Sequence, residues 1–140
     1  MSNTCTKCLF KKSVYYRPYS GERLCSKCFS STLYERVKRT IGKYKMFEFD
    51  STIALGISGG KDSLVMLKLL HELESKKPHA EIIAICIDEG IEGYRKEALS
   101  LAKKVCKKYD VEMNVFSFKS LFGETMDIIS SKKRELSTCS

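Results

Sequence analysis

No stretch of the 140 residues approaches the ~18 consecutive apolar positions that a membrane span needs. The opening Met-Ser-Asn-Thr-Cys-Thr-Lys-Cys lacks the apolar core of a secretory signal. Together these absences point to a cytoplasmic protein with no membrane partner. Tryptophan is missing altogether, and proline and histidine occur only twice each. His71 falls on a helical pattern and His79 in a loop, so neither is nominated as a catalytic base. No internal repeat or low-complexity tract is present, and the length suits one domain, or one domain with a small appendage.

Cysteine, by contrast, is plentiful. Seven are present, and in a reducing compartment they are expected as metal ligands or core thiols rather than disulfides. Four of them form Cys5-x-x-Cys8, sixteen intervening residues, then Cys25-x-x-Cys28. Two such turns joined by a short hairpin read as a zinc ribbon, because Zn²⁺ takes four thiolates tetrahedrally at about 2.3 Å. Iron in a rubredoxin-like site, or two disulfides, are the alternatives. Thirty residues bury too little apolar surface to hold themselves together, so the metal is expected to fold this module. Cys86 and Cys106 sit inside apolar patterns and read as small core residues.

Charge is uneven along the chain. Residues 1–50 hold eleven Lys/Arg against four Asp/Glu, whereas residues 51–140 hold fourteen against thirteen. The basic excess therefore belongs to the N-terminal third, where a polyanionic partner would bind; a solvated lysine-rich surface is the plain alternative. From Ser31 to Tyr44 the positions Leu33, Val37, Ile41 and Tyr44 recur at helical spacing, with Arg36, Arg39 and Lys43 elsewhere around the helix. Ser31 or Thr32 is the expected N-cap. This helix is read either as a strut or as a presenter of basic side chains to nucleic acid.

Residues 58–63 read Ser-Gly-Gly-Lys-Asp-Ser, between an apolar run ending at Ile57 and an apolar-periodic helix. A strand, a glycine turn and a helix start make a phosphate cradle. Adjacent glycines permit φ > 0 and close backbone approach, and the N–H groups that follow lie at the positive end of the helix dipole. Ser58 and Ser63 add hydroxyls, and Lys61 adds a mobile charge. The pattern is not the Walker loop, whose glycines stand five apart before Lys-Ser/Thr.

The remainder alternates. Strands are expected at Thr52–Ile57, Glu81–Ile87 and Val111–Phe118, with helices at Ser63–Ser75, Tyr94–Tyr109 and about Leu121–Lys132. The first helix carries Leu64, Leu67, Leu70 and Leu73 on a broad apolar face and should stop before Pro78. The second carries the stripe Tyr94, Ala98, Leu101, Ala102, Val105 and Tyr109. Three βα units in series imply a parallel sheet with right-handed crossovers, and ligands in such sheets sit at the carboxyl ends of the strands, where Ser58 and Asp88 fall. The expected architecture is α/β: a partial Rossmann-like parallel sheet (residues 51–140) preceded by a zinc ribbon (1–30) and a basic linker helix (31–50).

The loop resembles the SGGxDS loop of enzymes that split ATP between its α- and β-phosphates. The order of features is more specific: a double Cys-x-x-Cys ribbon, a basic helix, SGGKDS, then Ile-Asp-Glu-Gly-Ile-x-Gly-Tyr-Arg at residues 87–95. In that order the chain resembles the tRNA 2-thiouridine synthetases, zinc-ribbon members of the N-type ATP pyrophosphatases with a sheet of the adenine nucleotide alpha hydrolase type. The resemblance implies that ATP adenylates the uridine C2 oxygen with release of pyrophosphate, after which sulfur displaces AMP. It implies phosphate binding by Ser58, Gly59, Gly60, Lys61, Asp62 and Ser63, and an adenosine pocket lined near Gly56 and Ile87. Lys61 would offset phosphate charge and Asp62 would order the loop or Mg²⁺, which makes these two the catalytic candidates. Asp88 and Glu89 lie at the rim, or simply cap the turn that follows.

Implied partners are tRNA and a ubiquitin-like sulfur-carrier protein or another sulfur donor, with a homodimer left open. The complete family proteins also hold a [4Fe–4S] cluster. Cys139-Ser140 reads as the opening of a further Cys-x-x-Cys, which makes Cys139 a candidate cluster ligand and the chain an N-terminal portion of a longer protein. Two other readings remain: a non-catalytic RNA-binding module with a nucleotide-sensing loop, and a related adenylating ligase acting on a small metabolite.

Overall fold

A computed structural model describes residues 3–48, 50–77, 80–91 and 94–132. It divides into two compact units, Met1–Met46 and Phe47–Ser140. Among the described residues no helix is long and apolar enough to cross a membrane.

The N-terminal unit starts with a tight turn in which the Cys5 amide donates to Lys11 O (2.8 Å) and the Leu9 amide to Cys5 O (2.9 Å). Strands β1 (Tyr15–Arg17) and β2 (Glu22–Leu24) then pair antiparallel, Tyr15 opposite Leu24 and Arg17 opposite Glu22. Helix α1 runs Ser26–Tyr44. It begins five residues before the expected start, and its N-cap is Cys25, not Ser31 or Thr32. The reason is local. The Phe29 amide donates to Cys25 O at 2.8 Å, while the Thr32 hydroxyl turns back to Cys28 O at 2.9 Å as an interior helical threonine. The second Cys-x-x-Cys is therefore wound onto a helix N-terminus. The core of this unit is only Cys5, Leu24 and Cys25, with Cys8, Cys28 and Phe29 packed against it. Leu33, Val37 and Ile41 are half-buried, and α1 buries no residue completely.

The C-terminal unit is a three-stranded parallel sheet in the order β3 (Thr52–Gly56), β4 (Glu81–Asp88), β5 (Glu112–Ser117). Ala54 pairs with Ile83, and Ile85 with Asn114. Helix α2 (Lys61–Glu74) connects β3 to β4, and α3 (Tyr94–Lys108) connects β4 to β5. Two right-handed crossovers stepping the same way put both helices on one face. Burial agrees: Ile53, Leu55, Ala84 and Cys86 are buried, whereas Ala54, Gly56 and Ile87 on the opposite face are exposed. The helices contribute Leu67, Leu69 and Leu70 from α2 and Ala98, Ala102 and Cys106 from α3. Leu101 is a correction, since it is 47% exposed and Cys106 takes its expected place in the core.

The single C-terminal helix expected over 121–132 is two: α4 (Phe118–Phe122) and α5 (Met126–Lys132). Gly123 stops the first in the left-handed region at φ 81°, its amide donating to Lys119 O.

Candidate functional site

The phosphate-loop candidates lie at the carboxyl end of β3. Gly59 takes φ +84°, and a Cβ there would fall 2.3 Å from the Ala98 carbonyl oxygen of α3. The first glycine is thus required twice over, by conformation and by close approach. Of the two adjacent glycines only Gly59 is left-handed. Gly60 is extended (φ −74°, ψ 162°), serves as N-cap of α2, and a Cβ on it would meet only Ser58 Oγ at 3.4 Å.

Side chains complete the turn. Ser58 Oγ accepts from the Gly60 amide (3.2 Å) and lies 3.2 Å from Ser63 Oγ, which donates to Gly60 O (3.0 Å). Helix α2 begins at Lys61, two residues before the expected start, so Lys61, Asp62 and Ser63 form its first turn. Their amides take no acceptor among the described residues, the state of a helix N-terminus ready for an anion. Lys61 Nζ rests on Asp62 Oδ1 at 2.8 Å, with both side chains almost fully exposed, so an incoming phosphate displaces only a weak pair.

The neighbouring loop follows β4. Asp88 Oδ1 accepts from the Gly90 amide (3.1 Å), so Asp88 caps its own turn. Gly90 is left-handed at φ +71°, and a Cβ there would fall 2.7 Å from Thr125 Cγ2. Gly56 and Ile87 share the open face of the sheet near these strand ends, and nothing would crowd a Cβ on Gly56 within 4 Å.

Arg95 joins the two loops, a role the sequence reading left unassigned. It is 8% exposed, donates from Nη1 to Ser58 O (3.2 Å), approaches Cys86 Sγ from Nη2 (3.7 Å), and has Glu89 Oε2 3.8 Å from Nη1. Its Nε is buried without a partner. The available signal was positional: Arg95 closes the 87–95 motif and stands three residues before Ala98, the residue that packs on Gly59. Burial raises the Cys86 thiol above its usual range against the lowering influence of Arg95, which suits a core thiol, and burial raises Cys106 likewise.

The four N-terminal cysteines converge, with their Sγ atoms all within 4.8 Å of one another and Cys8 and Cys25 at 3.9 Å. A tetrahedron with ~2.3 Å arms has edges near 3.8 Å, so the donor set fits a thiolate-bound metal. The thiols differ in their electrostatics. Burial raises the Cys5 thiol, but amide donors from Cys8, Cys25 and Lys7 outweigh that and bring it to about 6. Amides of Lys11 and Phe10 lower Cys8. Burial and the three neighbouring sulfurs push Cys28 up to about 12. Cys139 lies outside the described residues.

Of the basic residues expected to meet nucleic acid, Arg36 and Arg39 line one cleft of the N-terminal unit. Lys43 is not among its lining and sits 5.1 Å from the Tyr44 ring.

Residues 31–136 match the family described as the PP-loop domain. The chain belongs to the PP-loop family. Residues 4–30 match a second description, the N-terminal LIM domain of the 2-thiouridine synthetase TtuA. Among solved structures, the PP-loop chain resembles the U34-tRNA thiolase NcsA from Methanococcus maripaludis, determined with its [4Fe–4S] cluster. The TM-score is 0.83 at 36% identity, over 99% of this chain and 45% of that one. A probable sulfurtransferase of Methanocaldococcus jannaschii is 39% identical over 118 residues, 84% of this chain and 34% of the relative. Cytoplasmic tRNA 2-thiolation protein 1 of Kluyveromyces lactis is 37% identical over 130 residues, 92% of this chain and 35% of the relative. The ammonia-dependent NAD synthetase of Campylobacter jejuni, at TM-score 0.54 and 17% identity, shares the fold alone. The PP-loop chain spans between a third and two-fifths of the curated relatives it matches. The expected α/β fold and the resemblance to tRNA thiolases are both borne out.

Proposed function

We propose that this chain is the ATP-binding and metal-binding portion of a cytoplasmic tRNA uridine 2-thiolation enzyme. In that reading residues 1–30 are the metal module, 31–50 the basic helix and 51–140 the nucleotide-binding domain. One observation carries it: an anion-ready helix start, locked by Gly59 against Ala98 and by Arg95, at the carboxyl ends of a parallel sheet. The similarity to thiolases supports uridine as the group activated.

The chemistry follows from the leaving group. Uridine O2 leaves poorly as oxide, so it attacks the α-phosphorus of ATP; the bond to the β-phosphate breaks and pyrophosphate departs. Sulfur at the sulfide level, delivered by a sulfur donor, then adds at C2; the C2–O bond breaks and AMP leaves with the oxygen. The amides of Lys61, Asp62 and Ser63 with Ser58 Oγ hold the phosphates, and Lys61 meets the charge growing on the leaving pyrophosphate. Asp62 would order the loop or Mg²⁺ binding with ATP. The open sheet face at Gly56 and Ile87 takes adenosine. Cys5, Cys8, Cys25 and Cys28 hold zinc, whose contribution is to fold the N-terminal unit.

The test is pyrophosphate release by the intact enzyme with and without tRNA. Release that requires tRNA supports the reading. Nucleotide binding without release favours a sensing module, and release with a small metabolite alone favours a different ligase.

A further inference from the structure

The N-terminal unit carries a cleft of about 470 Å³ lined by Arg17, Tyr19, Thr32, Glu35, Arg36 and Arg39. That is the size of a small-ligand site. Its walls are ordered by their own contacts. Arg17 is 7% exposed and spoken for, pairing with Glu22 Oε2 at 2.6 Å and donating to Thr32 Oγ1 at 3.2 Å. The Tyr19 ring lies 5.7 Å from the Arg17 guanidinium carbon and 5.6 Å from that of Arg36, which also donates to the tyrosine hydroxyl. The tyrosine nevertheless stays 71% exposed.

Arg36 and Arg39 stand three residues apart on α1, hence on one face, and neither pairs with a carboxylate among the described residues. The cleft therefore offers two guanidiniums outside any ion pair among the described residues, an aromatic ring held in place, and one carboxylate, Glu35, one turn from Arg39.

This mixture selects a ligand. Two planar guanidiniums grip one phosphate group well. Glu35 opposes a run of phosphates but accepts hydrogen bonds from the amino edge of a base. An exposed ring between cations is a stacking platform for an unpaired base, the usual means of holding single-stranded RNA. A paired nucleotide cannot use it, because its base faces are already stacked.

We propose that this cleft holds one unpaired nucleotide of the tRNA, its phosphate on Arg36 and Arg39 and its base on Tyr19. The inference rests on the reading of tRNA as substrate and adds where, and in what conformation, the RNA is gripped. Lys43, outside the cleft, contributes only screened attraction.

The experiment measures affinity of the full chain for an unmodified tRNA transcript and for a fully paired RNA duplex, across a salt series. Wild type is compared with Arg39→Ala, Tyr19→Leu, Tyr19→Phe and Lys43→Ala, and equal bound metal in each variant verifies that the unit is folded. Arg39→Ala and Tyr19→Leu should each weaken tRNA binding about tenfold, Tyr19→Phe and Lys43→Ala about twofold or less. Duplex binding should be indifferent to Tyr19→Leu. If Arg39→Ala and Tyr19→Leu lose no more than Lys43→Ala while wild type binds, the cleft is overturned and the tRNA reading stands. If wild type binds no tRNA, both fall.

Discussion

In the proposed reading the two units would meet anions by different physics. The C-terminal unit has an apolar sheet core, with Ile53, Leu55, Ala84 and Cys86 under two helices, and it presents backbone amides at a helix start. The N-terminal unit has almost no apolar core and presents long cationic side chains on a scaffold closed by four sulfurs. Backbone donors are rigid only if the surrounding packing is, so Gly59 is clamped by α3. Side-chain donors need little more than a fixed base, which a metal in the four-cysteine site would supply.

The comparison breaks most completely on metal removal. Chelation, or Cys28→Ser, should unfold the N-terminal unit while far-UV signal and cooperative melting of the sheet unit persist. The metal term at stake in such small modules is on the order of 10 kcal/mol. Loss of both units together would show that the sheet unit depends on the metal.

Next comes the loop. Gly59→Ala should cost about 3 kcal/mol or more, from the left-handed backbone and the clash with Ala98 O, and should abolish ATP binding. Gly60→Ala, extended and facing only Ser58 Oγ, should cost under about 1 kcal/mol. Chemical denaturation and ATP titration of the pair give the answer, and equal losses would refute the asymmetry.

Arg95→Ala should follow, destabilising by roughly 2 kcal/mol and weakening ATP, because the Ser58 carbonyl loses its buried donor. Arg95→Lys cannot reach Ser58, Cys86 and Glu89 at once, so it should rescue stability in part and leave the ATP defect.

Acid sharpens the comparison further. The Cys5 thiol is depressed to about 6 against an ordinary 9, so its thiolate contribution is complete above pH 9 and fades as pH falls through 6. A metal held by the cluster should be released as acid protonates the thiolates, read with a chromogenic chelator, while the sheet unit is unaffected over the pH range of release. The smallest structural effect belongs to Lys61→Ala and Asp62→Ala. Both residues are almost fully exposed, so stability should change by less than about 0.5 kcal/mol although turnover of the complete enzyme falls.

Much of this was legible from local pattern. Cys-x-x-Cys spacing announces a metal site because two residues between sulfurs close one turn. Ser-Gly-Gly-Lys-Asp-Ser after an apolar strand announces a phosphate loop because glycine and a helix start are local necessities. The run Ile82–Ile87 declares a parallel strand without reference to any neighbour, although only the face of Ala84 and Cys86 is buried and Ile87 stays exposed.

What needed tertiary structure was set by partners distant in sequence. Which of two glycines is indispensable depends on Ala98, thirty-nine residues beyond Gly59. Helix α1 begins at Ser26 because the cysteine cluster fixes Cys25, which overrides the capping preference of Ser31 and Thr32. Arg95 looks like any helical arginine until the fold brings Ser58, Cys86 and Glu89 around it. Arg36 and Arg39 part from Lys43 only when the β1–β2 hairpin carries Arg17 and Tyr19 against the helix. Sequence determined the elements and their chemistry, since these depend on neighbours along the chain. The fold decided which of those groups act together, since burial and convergence are properties of space.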